Sequence, residues 1–265
     1  MRKVKQYLNL RAAAKLAKQF KDCDAIGNAV RNSCDKIPVL VICFNNGVYV
    51  LNMVKQLNER DIVPIVIDNK STDIKTIQIL DALKNTQAIV LRSPKNLGHL
   101  VGFFDPIYKL LPETFAYTDP DLQFNPALPE NFMLQLANVA DLYESFKAGM
   151  ALDIHNSGNI SNVFSSSTAK YPFKFKKIHS LIDWESQFWK MPLKHDRLEV
   201  YAAAIDTTFA VYRKKFFNGE FSKGVRVAGE YTAVHLPWFQ HLDILSSEDR
   251  NMYASTAQCS AWVKQ

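Results

Sequence analysis

Four short apolar runs, each closed by polar residues and followed by a helix-patterned stretch, limit this chain to very few folds. The runs are Ile37-Pro-Val-Leu-Val-Ile-Cys-Phe44, Ile62-Val-Pro-Ile-Val-Ile67, Ala88-Ile-Val-Leu91 and Thr114-Phe-Ala-Tyr-Thr118. None alternates apolar with polar, so each reads as a strand buried on both faces. Between them, residues 48–58 (Val50, Leu51, Val54, Leu57), 76–84 (Ile77, Leu80, Leu83) and 100–111 carry helical spacing. The order β-α-β-α-β-α-β predicts a Rossmann-like, mostly parallel sheet with helices on both faces and right-handed crossovers. Ligands of such sheets bind beyond the carboxyl ends of the strands. The polar clusters 45–47, 68–73 and 119–121 all fall at those ends.

The second half is less regular. A helix is predicted over 129–146, a strand over 149–153, a loop over 156–175, a short helix over 178–188 and a strand over 202–212. Residues 225–228 form another short apolar stretch, 229–239 read as a loop, and the last 20 residues read as a poorly defined tail. The chain therefore divides into a basic N-terminal helical segment (1–36), a βαβ half (37–125) and a less regular half (126–265).

Charge narrows the partners. The net charge is +6 at pH 7, which favours anionic ligands or surfaces. Residues 1–22 concentrate positive charge on a loosely amphipathic helix through Arg2, Lys3, Lys5, Arg11, Lys15 and others. That helix either packs on the domain or touches anionic membrane peripherally. No run of about 18 apolar residues is present, and no apolar stretch follows the basic start as a signal peptide requires. A cytoplasmic protein, peripheral at the inner face of a membrane, is the expectation. Cys23, Cys34, Cys43 and Cys259 show no CxxC spacing and read as free thiols, with Cys43 a small core residue. Lys174, Lys176 and Lys177 alternate with aromatics, but no nucleic-acid motif accompanies them, so no nucleic-acid partner is expected. P-loop, dinucleotide-binding, zincin and hydrolase-elbow motifs are absent.

Several residues carry candidate chemistry. Asp119-Pro-Asp121 closes the fourth strand. Two buried carboxylates repel, and a hard divalent cation relieves that cost while recruiting phosphate oxygens; the alternative is an ordinary turn. Asp68 follows the second strand, where it can accept hydrogen bonds from a base or ribose. Asp73 reads as the cap of the next helix. Asn45 either faces a nucleoside or makes a turn. His235, in Ala233-Val-His-Leu-Pro-Trp238, can complete a carboxylate metal site. Asp206, inside the apolar stretch 202–212, needs a partner or acts in proton transfer. Glu185, with Asp183, lies among tryptophans in Ile182-Asp-Trp-Glu-Ser-Gln-Phe-Trp189, and reads as a sugar contact or as an exposed acid of a core helix.

Together these features resemble the GT-A-fold glycosyltransferases, most closely glycosyltransferase family 2, over roughly residues 37–125. Ile37–Asn46 resembles the family's first strand and its nucleotide-facing end. Asp68-Asn-Lys-Ser-Thr-Asp73 is similar to its Asp-(Asp/Asn)-x-Ser-x-Asp strand end, whose first acid reads the nucleobase. Asn96-Leu-Gly98 resembles its Asn-x-Gly turn, and Asp119-Pro-Asp121 its DxD signature. The resemblance implies a transferase using a nucleotide-sugar donor, a UDP-sugar by the DxD, and a glycan or glycolipid acceptor bound by the less regular half. It implies that Asn45, Asp68, Asn96 and Asp119 bind the donor. Asp119, Asp121 and His235 would hold Mn²⁺ or Mg²⁺, and Asp206 or Glu185 would take the acceptor proton. In the late chain, residues 229–238 stand where many inverting members carry a Glu-Asp pair, which leaves inversion and retention open. A sugar nucleotidyltransferase and a non-catalytic carbohydrate-binding protein are the alternatives; the first usually carries a Gly-rich, basic loop after its first strand, and Phe44-Asn-Asn-Gly47 does not supply one.

Overall fold

The computed structural model describes residues 27–28, 30, 36–84, 87–154 and 181–256. The predicted basic helix over 1–22, the loop over 156–175, Lys174, Lys176 and Lys177, and the end of the tail lie outside the described residues.

The four apolar runs form β1 (Val39–Cys43), β2 (Ile65–Asp68), β3 (Ile89–Arg92) and β4 (Thr114–Thr118). They pair in parallel, in the order β3-β2-β1-β4. Every residue of β1 and β2 is buried, as continuous apolar runs require. Their side chains alternate between two cores. Val39, Val41, Cys43 and Val66 enter one core; Leu40, Ile42, Ile65 and Ile67 enter the other. Pro64 has no N–H to give to a ladder, and β2 starts after it, at Ile65. The strand runs on through Asp68, opposite Arg92, so that acid ends the strand instead of following it.

Helices α1 (Gly47–Asn58) and α2 (Ile74–Leu83) occupy the predicted crossovers. Asp73 caps α2: its carboxylate accepts from Thr76 N at 2.7 Å. The single helix expected over 100–111 is instead a turn at Val101–Phe103 and a four-residue helix, α3 (Ile107–Leu110). Pro106 interrupts it, having no N–H for the helical ladder.

The second half extends the same sheet. It supplies α4 (Phe132–Leu142), β6 (Lys147–Met150), α5 (Leu181–Ser186), β7 (Pro192–Leu193), β8 (Val200–Ala204), β9 (Ala210–Arg213) and β10 (Lys223–Val227). The nine-stranded order is β3-β2-β1-β4-β9-β6-β10-β8-β7. Only β8 and β9 run against the rest, so the sheet is mostly parallel. It continues without a break across residue 125. A separate ribbon pairs β5 (Leu122–Gln123) with β11 (Val234–His235), inside the stretch read as a loop. The expected tail contains α6 (Ser247–Thr256), which packs Tyr253 edge-on against Tyr49.

One expectation fails outright: residues 202–212 are not one strand. They form the end of β8, a turn over 205–209, and β9, with β6 and β10 between the two strands. Ile205 and Phe209 remain buried in the core, which is why the stretch looks continuous by hydropathy. Asp206 therefore lies in a turn, its side chain 56% exposed, and not inside a strand. No helix among the described residues is long and apolar enough to cross a membrane.

The insertion of β9 between β4 and β6 relies on Gly149. A Cβ there would lie 2.5 Å from the Phe209 carbonyl oxygen and 2.8 Å from Ala210 Cβ. Gly149→Ala should therefore cost about 1–3 kcal/mol by overpacking, read as a lower urea midpoint; an unchanged midpoint would contradict this packing.

Candidate active site

The carboxyl ends of β1 and β2 are tied into one wall. Asn45 takes a left-handed conformation at φ 53°, which Asn tolerates better than most residues. Its Oδ1 accepts from Thr72 N at 2.7 Å and Asp73 N at 3.0 Å. Its own N–H donates to Ser71 Oγ at 3.0 Å. Asp68 is buried, accepts from Ser71 N at 2.8 Å and lies 3.9 Å from the Arg92 guanidinium. Asn69 joins the third strand end by donating to the Gly98 carbonyl and accepting from Leu97 N. Asn96 accepts from Gly98 N at 2.9 Å, closing the turn whose Gly98 has φ 80°. The candidates Asn45, Asp68 and Asn96 thus line adjoining strand ends, with Asn45 engaged mainly in holding the wall together.

The carboxylates after β4 form the second part. Asp119 receives two bonds from the 205–209 turn: its N–H donates to the Thr207 carbonyl at 2.9 Å, and the Thr207 hydroxyl donates to its Oδ2. Asp121 is buried, and its Oδ1 has no hydrogen-bond donor among the described residues. Its Oδ2 lies 3.4 Å from His235 Nε2. The ribbon explains that approach: β11 lies antiparallel on β5, and Leu236 N donates to the Asp121 carbonyl at 3.0 Å. Gln56, on the buried side of α1, braces the ribbon from behind through Leu122 O, Phe124 N and the Gln123 side chain.

Electrostatics follow from burial. Desolvation, then the charge of Asp121, pushes Asp119 up to about 8, against the Thr207 bond. Desolvation, with the charge of Asp243 adding to it, pushes Asp121 up to about 7. Burial drives His235 down to about 3, against the pull of Asp243. The imidazole is neutral at physiological pH, the form that ligates metals. Desolvation likewise raises the Cys43 thiol to about 12, consistent with an inert core residue. No set of three His, Cys, Asp or Glu side chains among the described residues forms a ready cation cage.

The two acids expected to move a proton sit in different settings. Asp206 is on the same turn as Thr207, and its carboxylate lies 3.7 Å from His99 Nε2. Glu185 is fully buried and bonded to Arg226, whose guanidinium also donates to the Ala204 carbonyl at 2.9 Å. Desolvation raises Glu185 to about 7 despite Arg226.

Thr207, His99 and Gln56 were not singled out from sequence; nothing in their local pattern marks them. A Glu-Asp pair does occur in the late chain, beyond residues 229–238, as Glu248-Asp249. Asp249 is held at 2.7 Å by Lys75 and bonded to Ser246 at the start of α6.

No curated protein matches the sequence. Residues 39–143 match the sequence profile described as Glycosyl transferase family 2. Over those residues the chain is similar to glycosyltransferase family 2. Its mixed α/β architecture agrees with the GT-A fold. Among solved structures, it is similar to S. aureus TarS 1-349, with 16% identity, 68% of this chain and 47% of that one covered, and a TM-score of 0.36. It is similar also to S. aureus TarS 1-349 in complex with UDP-GlcNAc, with 14% identity, 85% and 68% covered, and a TM-score of 0.40. The chain spans about half the length of the first of these.

The two raised carboxyls set a pH dependence. The folded state keeps protons on Asp119 and Asp121 that the unfolded chain releases above the ordinary value of 3.8. The pair's contribution to stability is thus fully present below that value and is lost as pH rises through about 7 to 8. Cation-free wild type should lose more stability between about pH 5 and about pH 8 than the doubly substituted Asp119→Asn, Asp121→Asn protein. Parallel denaturation profiles for the two would refute the assignment.

Proposed function

We propose that this chain is a metal-dependent glycosyltransferase that moves a sugar from a nucleotide-sugar donor, a UDP-sugar, to a glycan or lipid-linked acceptor. The observation that carries the reading is Asp121: a buried carboxylate beside a neutral histidine, with one oxygen left without a donor among the described residues. An unpaired buried acid is costly unless something outside the chain completes it.

Mn²⁺ or Mg²⁺ fits that donor set. Such cations keep several waters and take one or two carboxylates plus phosphate oxygens, so a ready three-residue cage is not required. Asp119, Asp121 and His235 would hold the ion. When bound, it neutralises charge on the departing diphosphate. Asp68 and the Asn69–Gly98 junction form the nucleoside wall, and Asn45 keeps that wall in place.

In transfer, the acceptor oxygen forms a bond to the anomeric carbon, the bond from that carbon to the diphosphate oxygen breaks, and the nucleoside diphosphate leaves. The acceptor proton needs a base. Asp206 is the better placed of the two candidates: it is half-exposed on the turn that grips Asp119, whereas Glu185 is committed to Arg226. General-base help of this kind is worth about 10²–10⁴-fold. The net charge of +6 supports an anionic donor and an anionic or membrane-borne acceptor.

Thermal-shift screening of nucleotide-sugars with and without Mn²⁺ tests the reading, since ligands of the native state raise its melting temperature. UDP and UDP-sugars should stabilise the wild type only with the ion. Asp121→Ala should abolish both that response and transfer; full activity in the variant would defeat the proposal. Asp206→Asn should retain Mn²⁺-dependent donor binding while turnover falls by about 10²-fold or more, and wild-type turnover would remove Asp206 from the mechanism.

A further inference from the structure

Lys147 is the one lysine among the described residues that is fully buried, and the reaction outlined above does not use it. It stands on β6, in the middle of the extended sheet. Its aliphatic stem passes Gly224 on β10, where a Cβ would lie 3.1 Å from Lys147 Cγ and 3.1 Å from Ile205 Cδ1. Its ammonium lies 3.9 Å from the centre of the Phe221 ring and 5.3 Å from that of Tyr212. It donates to the Asp206 carbonyl at 3.1 Å, its one hydrogen bond among the described residues.

A buried ammonium carries a large desolvation cost, and here burial lowers it to about 7 against the favourable charge of Asp206. Neither the rings nor the single carbonyl needs a lysine for packing; Met or Leu would fill the stem's space. What the ammonium does is hold one peptide group. That peptide joins Asp206 to Thr207, whose carbonyl and hydroxyl both meet Asp119. The chain of contacts runs from β6, through Lys147, to the backbone between the candidate base and the residue that grips the candidate metal ligand.

We propose that Lys147 is a positioning residue for sugar transfer, holding the 205–209 turn so that Asp206 faces the acceptor and Thr207 fixes Asp119. The inference rests on the function proposed above and deepens it. A turn tethered from beneath by a charged hydrogen bond keeps the base in place; the ends of the turn are held by the buried Ile205 and Phe209 and by their bonds to Ser222 and Met150, while its middle is held by Lys147, by Asp119 and by the approach of His99 to Asp206. Misplacement of reacting groups by about 1 Å can cost about 10²-fold in rate.

The test compares wild type, Lys147→Met, Asp206→Asn and the double variant. Met keeps the volume and removes the buried charge, so the melting temperature should hold or rise. Turnover should fall by about 10²-fold with a much smaller change in donor KM. Amide exchange over 205–209 should quicken, while exchange in β6 and β9 stays as in wild type. If Lys147 acts through Asp206, adding Lys147→Met to Asp206→Asn should cost little more than Asp206→Asn alone. Wild-type turnover with unchanged exchange, or full additivity of the two losses, would overturn the proposal. Should the Met variant not fold, Lys147→Gln serves the same comparison. Loss of Mn²⁺-dependent UDP binding in the wild type itself would defeat the function proposed above, while the exchange comparison still judges the hold of Lys147 on the turn.

Discussion

Everything distinctive about this molecule follows from the seating of β9. That short antiparallel strand hydrogen-bonds β4 on one side and β6 on the other. It converts two halves of different character into one sheet. It also ends a turn whose Thr207 reaches the acid that closes β4. Without it, the strand ends of the first half would carry polar residues but no opposing wall, and β6 with its buried lysine would have no route to the site. The close backbone approach at Gly149 is the geometric condition for that seating.

The electrostatics repeat the same theme of groups placed where they are costly. Asp119 and Asp121 sit where burial and mutual repulsion favour protonation. His235 sits where burial favours the neutral ring. Each is awkward alone, and Asp121 and His235 lie 3.4 Å apart. Around them, other buried acids and a tyrosine have partners: Asp68 has Ser71, Glu185 has Arg226 and Tyr49 has Asp243. What marks Asp121 is that its unsatisfied buried atom belongs to a carboxylate that closes a strand end and lies beside His235, where a cation could complete it.

The first half was legible because parallel strands buried on both faces read as uninterrupted apolar runs; the Thr114–Thr118 run matches β4 residue for residue. The placing of the polar clusters 45–47, 68–73 and 119–121 at strand ends followed from the same pattern, whereas Asn96 was marked only by its resemblance to a family turn. His235 beside Asp121 was suggested from composition and resemblance, but the two-residue ribbon that brings them together is too short to leave a periodic signal. Asp206 was misread as strand because Ile205 and Phe209 keep the hydropathy high while the chain turns; hydropathy reports burial, not direction. Thr207, His99 and Lys147 escaped notice because their importance lies in contacts between residues far apart in sequence. Glu248-Asp249 is legible as a Glu-Asp pair, and the structure commits its aspartate to Lys75.

The knot at Asn45 has a thermodynamic consequence for any ligand of that wall. Its amide and backbone fasten three successive residues of the neighbouring loop, and its left-handed backbone is itself held by them. The ordering entropy of this surface is therefore incurred when the chain folds, before a ligand arrives. A guest meets a preformed edge there. Occupancy would therefore leave the ordering of that edge nearly unchanged.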